Sequence, residues 1–136
     1  LKIGIDFGTQ RVGLASSDSL GIVITPIGAY ALDKALGKLL EISRENPISV
    51  IYLGLPKHLA GLEGQSAISA RQFAGEIKAL NIAPVYLVDE RLTTTSASQK
   101  KELVEKFGID AIAAQEILEF ALNGERLSGG FFGESI

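Results

Sequence analysis

Apolar positions alternate with small or polar ones over Lys2–Asp6, a period of two that predicts a strand ending in an acid, with Gly8 just beyond. Arg11–Ser17 repeats the period, and the intervening Phe7-Gly8-Thr9-Gln10 is short enough for a hairpin. Gly21–Ala29 reads as a third strand. Pro26 within it suits a sheet edge, because proline has no N–H to give to a ladder. The period then lengthens. Leu36, Leu39, Leu40 and Ile42 share one helical face, from a candidate cap at Asp33 to Asn46-Pro47. Ile48–Leu55 is a continuous apolar run, as expected of a strand covered on both faces, and it ends in Gly54-Leu55-Pro56. Lys57–Gln65, with Gly61 and Gly64, reads as a loop. Ser66–Leu80 resumes helical spacing through Ile68, Phe73, Ala74 and Ile77. Pro84–Val88 predicts another buried strand, followed by Asp89-Glu90-Arg91. Thr93–Phe107 reads as a helix capped by Thr93 or Thr94 and stopped by Gly108. A last helix is expected from Asp110 to Asn123, with Ile112, Ile117 and Phe120 as core. The Gly-rich Leu127–Ile136 is expected to fray or dock loosely.

Three meander strands followed by helix, strand, helix, strand, helix, helix predict an α/β fold. Its mixed sheet has three antiparallel strands, then two parallel ones, with helices on both faces. The pattern predicts one domain over 1–126 and a tail over 127–136. A chain of 136 residues, 46% of them hydrophobic, can bury a single substantial core. It has no cysteine, which removes thiolate zinc sites, thiol nucleophiles and disulfides together and suits a cytoplasmic protein. No apolar run approaches the roughly 20 residues of a membrane helix, and no leader pattern opens the sequence, so neither a membrane nor secretion is expected. The net charge of −3 argues against a passive basic clamp on nucleic acid. It leaves a metal-loaded enzyme open, since two divalent cations would more than offset it.

Acidic residues fall at the ends of elements expected to meet. Asp6 ends the first strand, Asp89 and Glu90 end the last, and Asp110 opens the final helix. Neighbouring strands lie about 4.8 Å apart, so carboxylates at their ends can converge on ions spaced about 3.5–4 Å apart, as in two-metal phosphodiester chemistry. Carboxylates without cysteine and with a single histidine favour a hard ion, Mg2+ or Mn2+, over zinc. Each acid also has an ordinary reading: Asp6 as a turn residue, Asp110 as a partner of the helix dipole, and Asp89 and Glu90 as surface partners of Arg91.

The run Gly4-Ile5-Asp6-Phe7-Gly8-Thr9-Gln10-Arg11-Val12-Gly13-Leu14-Ala15, followed by Ser17-Asp18, resembles the opening motif of the YqgF family, also called RuvX. Gly54-Leu55-Pro56 with Gly61 and Gly64 is similar to its second motif, and Asp89-Glu90-Arg91-Leu92-Thr93-Thr94 with Ala97 to its third. Asp110 with Ala113-Ala114 and Ile117-Leu118 is similar to its last. The motifs occur in family order and span almost the whole chain except the tail. The resemblance implies a ribonuclease-H-like fold, divalent-metal cleavage of phosphodiesters, and a catalytic and metal-binding triad of Asp6, Glu90 and Asp110 with Asp89 as neighbour. It also implies a structured nucleic-acid substrate: the 5′ end of the 16S ribosomal RNA precursor, within a pre-ribosomal particle, or a four-way DNA junction. Resolvases of this superfamily commonly carry an acid on the first parallel strand, where this chain has Leu53-Gly54-Leu55. The second carboxylate must therefore come from Glu90 or Asp89. The stretch from Ala97 to Asp110 is also shorter than in many relatives, and its basic residues are Lys100, Lys101 and Lys106.

Candidate nucleic-acid contacts are Gly8, Arg11, Lys57, Arg91, Thr93 and Thr94. For Gly8 a plain turn explains the residue as well; for Arg11 and Arg91, pairing with Asp18 or Asp89 does; for the threonines, helix capping does. His58 is the single histidine and reads as a solvent-exposed loop residue more readily than as a proton shuttle. Three functional classes follow: a metal-dependent nuclease acting as monomer or homodimer, a non-catalytic module assisting ribosome assembly or transcription, and a sugar-kinase- or actin-like ATPase. The last pairs two such domains, and this chain has room for one.

Overall fold

The computed structural model describes residues 1–56, 63–89 and 105–136. Its strands are β1 (Lys2–Phe7), β2 (Arg11–Ser17), β3 (Ile24–Ala31), β4 (Val50–Leu55), β5 (Val85–Asp89) and β6 (Glu134–Ser135). Its helices are α1 (Leu32–Glu45), α2 (Gln65–Ala79) and, at the end of the chain, α3 (Ile109–Ser128). The sheet runs β3-β2-β1-β4-β5-β6. β1–β2 and β2–β3 are antiparallel, β1–β4 and β4–β5 parallel, so the expected mixed sheet forms. β3 is an edge strand, where Pro26 withholds no bond that an inner ladder would need.

Alternation along the strands divides the core between two faces. Ile3, Ile5, Ile51, Leu53, Leu55, Val85 and Leu87 pack with Leu39 of α1 and Phe73, Ala74 and Ile77 of α2. Val50, Tyr52 and Val88 point the other way, onto Ile117, Leu118, Ala121 and Leu122 of α3. All of β4 is buried, as its unbroken apolar run required. The α3 face is built by close approach. A Cβ on Gly4 would lie 2.6 Å from the Ala114 carbonyl oxygen, and one on Gly13 would lie 1.9 Å from the Asp110 carbonyl oxygen. Glycine at these two strand positions lets the helix backbone rest directly on β1 and β2.

Several boundaries differ from the sequence reading. The third strand starts at Ile24, because Asp18 organises residues 18–23 as a turn: its Oδ1 accepts the Ile22 N–H at 2.7 Å. Asp33 lies in the first turn of α1 and makes no capping bond; Ala31 occupies the cap. Of the helix expected over 93–107 only residues 105–107 are described, and they are helical; Gly108, at φ 88°, separates them from α3. α3 runs past Asn123, through the boundary drawn at 126, to a left-handed Gly129 whose N–H bonds to the Glu125 carbonyl at 2.8 Å.

The tail is pinned rather than loose. Ser135 and Glu134 pair antiparallel with Tyr86 and Leu87, and the Phe132 ring fills the space that a Gly124 side chain would take. Arg71 of α2 joins this strand to the start of its own helix. Its guanidinium donates to Glu134 at 2.6 and 3.0 Å and to Glu63 at 2.6 and 2.8 Å. Both carboxylates hold the guanidinium pKa above its ordinary value.

Candidate active site

Asp6 is the penultimate residue of β1 and shares the Gly4 side of the strand, which faces α3. Its cross-strand partner is Gly13, the residue that touches the backbone of Asp110. The strand register and the missing side chain at residue 13 together bring Asp6 and the first turn of α3 to one place. Neither carboxylate is exposed to bulk water on all sides. Gly13 was not singled out from sequence, although a glycine within a strand is a signal for close backbone approach.

Arg11, the first residue of β2, places its Nε 3.4 Å from Asp110 Oδ2. Its sequence-level partners, Asp18 and Asp89, are not the one it takes. Asp18 is engaged in its own turn. The Arg11 side chain is 70% exposed against 26% for Asp110, so the pair is weakly held. Asp110 also stands in the first turn of α3, where the positive end of the helix dipole favours its charge. Gly8 is explained by the hairpin: a Cβ there would lie 2.5 Å from the Arg11 carbonyl oxygen.

Asp89 ends β5 in register with Leu55. Alternation groups it with Val85 and Leu87 on the α1–α2 face, whereas Asp6 belongs to the α3 face. At the strand's end it lines a cavity of about 210 Å3 that takes in residues of both faces, Leu55 and Leu87 from one and Phe120 and Phe132 from the other. Glu90, Lys57, Arg91, Thr93 and Thr94, like His58, Lys100 and Lys101, lie outside the described residues. Lys106 is exposed, with its ammonium 5.2 Å from the centre of the Phe107 ring. Among the described residues, no three acidic, histidine or cysteine side chains form a group that could hold an ion. Asp6 and Asp110 supply oxygen donors alone, the donor type that suits a hard divalent cation.

A second polar cluster sits at the opposite end of β1. Glu125 on α3 accepts from Lys2 and from the Tyr52 hydroxyl at 2.6 Å, and that hydroxyl accepts the Phe132 N–H at 3.0 Å. Burial first, then the bond to Glu125, raises the Tyr52 pKa above its ordinary 10.0. The cluster ties β1, β4, α3 and the tail together.

Relatives span the same architecture. A Nocardioides protein carrying the name "Putative pre-16S rRNA nuclease" is 36% identical over 149 residues, covering 100% of this chain and 96% of its own length. One of the same name from Streptomyces avermitilis is 38% identical over 148 residues, covering 99% of this chain and 93% of its own. Among solved structures, Thermus thermophilus RuvC in complex with Holliday junction substrate aligns with a TM-score of 0.64 at 12% identity, over 99% of this chain and 98% of that one. RuvC from the same organism, solved separately, gives 0.58 at 12% identity over 99% of both chains. At that identity the likeness shows a shared fold, the ribonuclease-H-like arrangement. The family model described as "RuvX: Holliday junction resolvase" matches residues 1–124, from the strand that carries Asp6 through the helix that carries Asp110, and the chain belongs to that family.

Proposed function

We propose that this chain is a divalent-metal-dependent endonuclease that cuts phosphodiester bonds in structured RNA, at the 5′ end of the 16S ribosomal RNA precursor. What supports the chemistry is that Asp6 pairs in register with Gly13, and that Gly13 lies against the backbone of Asp110. The names of the full-length relatives support the substrate. No helix is long and apolar enough to cross a membrane among the described residues, in keeping with work on RNA in the cytoplasm.

Asp6, Asp110 and Glu90 would hold Mg2+ or Mn2+. Glu90 is preferred to Asp89 because alternation in β5 assigns Asp89 to the opposite face of the sheet from Asp6. Bound there, the ion would supply a nucleophilic hydroxide and neutralise the phosphate. The protein's own groups do the rest. Asp6 fixes one edge of the site from a rigid inner strand, and Asp110 the other from a helix start. Arg11 balances Asp110 while the site is empty of substrate and then turns to a phosphate oxygen. Gly8, Lys57, Arg91, Thr93 and Thr94 are further candidate contacts to the backbone.

Asp6→Asn should lower metal-dependent cleavage of precursor RNA on the order of a hundredfold or more, about 2.7 kcal/mol of barrier. Unchanged cleavage would remove Asp6 from the site. The second reading keeps the chemistry and changes the substrate to a four-way DNA junction, which the family's description favours. Side-by-side turnover of the two substrates by one preparation decides between them. A non-catalytic assembly factor would bind RNA without cutting it and would show no heat of Mg2+ or Mn2+ binding in calorimetry.

A further inference from the structure

On the face of the sheet away from Asp6, α1 and α2 diverge and leave a cleft of about 310 Å3. Its floor is Phe7, the residue after Asp6 but on the opposite side of the strand, backed by Phe73 with ring centres 5.2 Å apart. Leu32 and Leu36, both partly buried, form one wall, and Asp33 and Glu76 stand exposed at its rim. The volume is at the small end of the range for ligand pockets.

The charge at this cleft is unbalanced. Nearby acids have cations: Glu41 has Lys38 at 3.6 Å and Glu63 has Arg71. Asp33 and Glu76 form no ion pair among the described residues. Lys38 is turned to Glu41 and lies 5.6 Å from the centre of the Tyr30 ring. Two carboxylates at the mouth of a cleft with an aromatic floor, a leucine wall and the polar Ser69 and Gln72 opposite repel a phosphate backbone and attract a cation. A strongly hydrated metal ion gains nothing from an apolar floor. A guanidinium on an aliphatic stem matches every part: methylenes against Leu32 and Leu36, a planar cation on the Phe7 ring, and its N–H groups on the two carboxylates.

We propose that this cleft docks a basic segment of a protein partner, with one arginine side chain seated on Phe7 between Asp33 and Glu76. The face is separate from the Asp6 site, so the nuclease is free to act while a partner is bound. The proposal does not depend on the nuclease reading.

The test uses the full chain and a short fluorescein-labelled peptide of alternating arginine and serine, with binding followed by anisotropy at low salt. The double variant Asp33→Asn/Glu76→Gln should bind at least about tenfold more weakly, and the wild-type complex should shift the backbone amides of Leu32, Leu36 and Gln72 in NMR spectra. Both side chains are exposed, so the variant is expected to fold; Glu76→Gln alone, expected to lose part of the affinity, guards against its failing to. Equal peptide affinity in wild type and variant would overturn the proposal. So would amide shifts confined to the Asp6 face. Cleavage of precursor RNA should be the same in variant and wild type. Loss of cleavage in the variant would overturn the separation of the two faces.

Discussion

A methyl group at residue 13 would sit 1.9 Å from the Asp110 carbonyl oxygen, far inside contact distance. Gly13→Ala must therefore lift the start of α3 from the sheet and carry Asp110 away from Asp6. Overpacking of this kind costs about 1–3 kcal/mol, and denaturant unfolding should show that loss. Cleavage should fall by more than a variant of equal instability at a distant core site such as Ile77. At the far end of β1, Tyr52 gives a pH-dependent prediction. Its folded-state pKa is raised above 10.0, so the stability it contributes is fully present below about pH 10 and is lost as pH rises above that value. The gap in Tm between wild type and Tyr52→Phe should be constant at lower pH and narrow above pH 10. A gap unchanged to pH 12 would show that the hydroxyl is not held protonated by its surroundings. The acid at the end of β1 was legible from alternation alone. That Arg11 would choose Asp110 over Asp18 was not, because ion-pair choice depends on which elements pack together and the sequence carries no such register.

At the scale of elements, β6 shows what periodicity misses. Residues 131–136 lack both the length and the alternation of a predicted strand, yet they fold because three contacts act together. Phe132 packs over Gly124 and meets Phe120 edge-on at 5.6 Å, Glu134 binds Arg71, and the Ile136 N–H bonds to the Val85 carbonyl. Deleting residues 131–136 should cost about 2–3 kcal/mol, chiefly from losing the Phe132 side chain. It should also raise aggregation, since β5 would become a bare sheet edge; thermal melts with light scattering would read both. The longer elements were legible for physical reasons. β4 is apolar throughout because both of its faces are covered, and α2 keeps Phe73, Ala74 and Ile77 on one side because only that side meets the sheet. α3 continues past Asn123 because Gly124 is there to admit Phe132, while Gly129 supplies the left-handed turn that ends the helix.

For the molecule as a whole, a chain of net charge −3 must bring a polyanion to a carboxylate site. Under the proposed function, divalent ions held at the Asp6 end of the sheet would reverse the charge there, with Arg11 beside them. The opposite face keeps its acidic cleft for a different, cationic partner. The fold that arranges this was readable from element order: a meander of three strands and two parallel additions leave the end of β1 beside the start of the last helix. The choice between Asp89 and Glu90 was not readable, because it depends on where β5 stops alternating. A crystal structure soaked in Mn2+, with anomalous scattering to locate the ion, tests this most directly. Manganese is expected between Asp6 and Asp110, with Glu90 completing the oxygen ligands and Asp89 outside them. Manganese absent from that position at millimolar concentration, or held by Asp89 on the other face of the sheet, would contradict it.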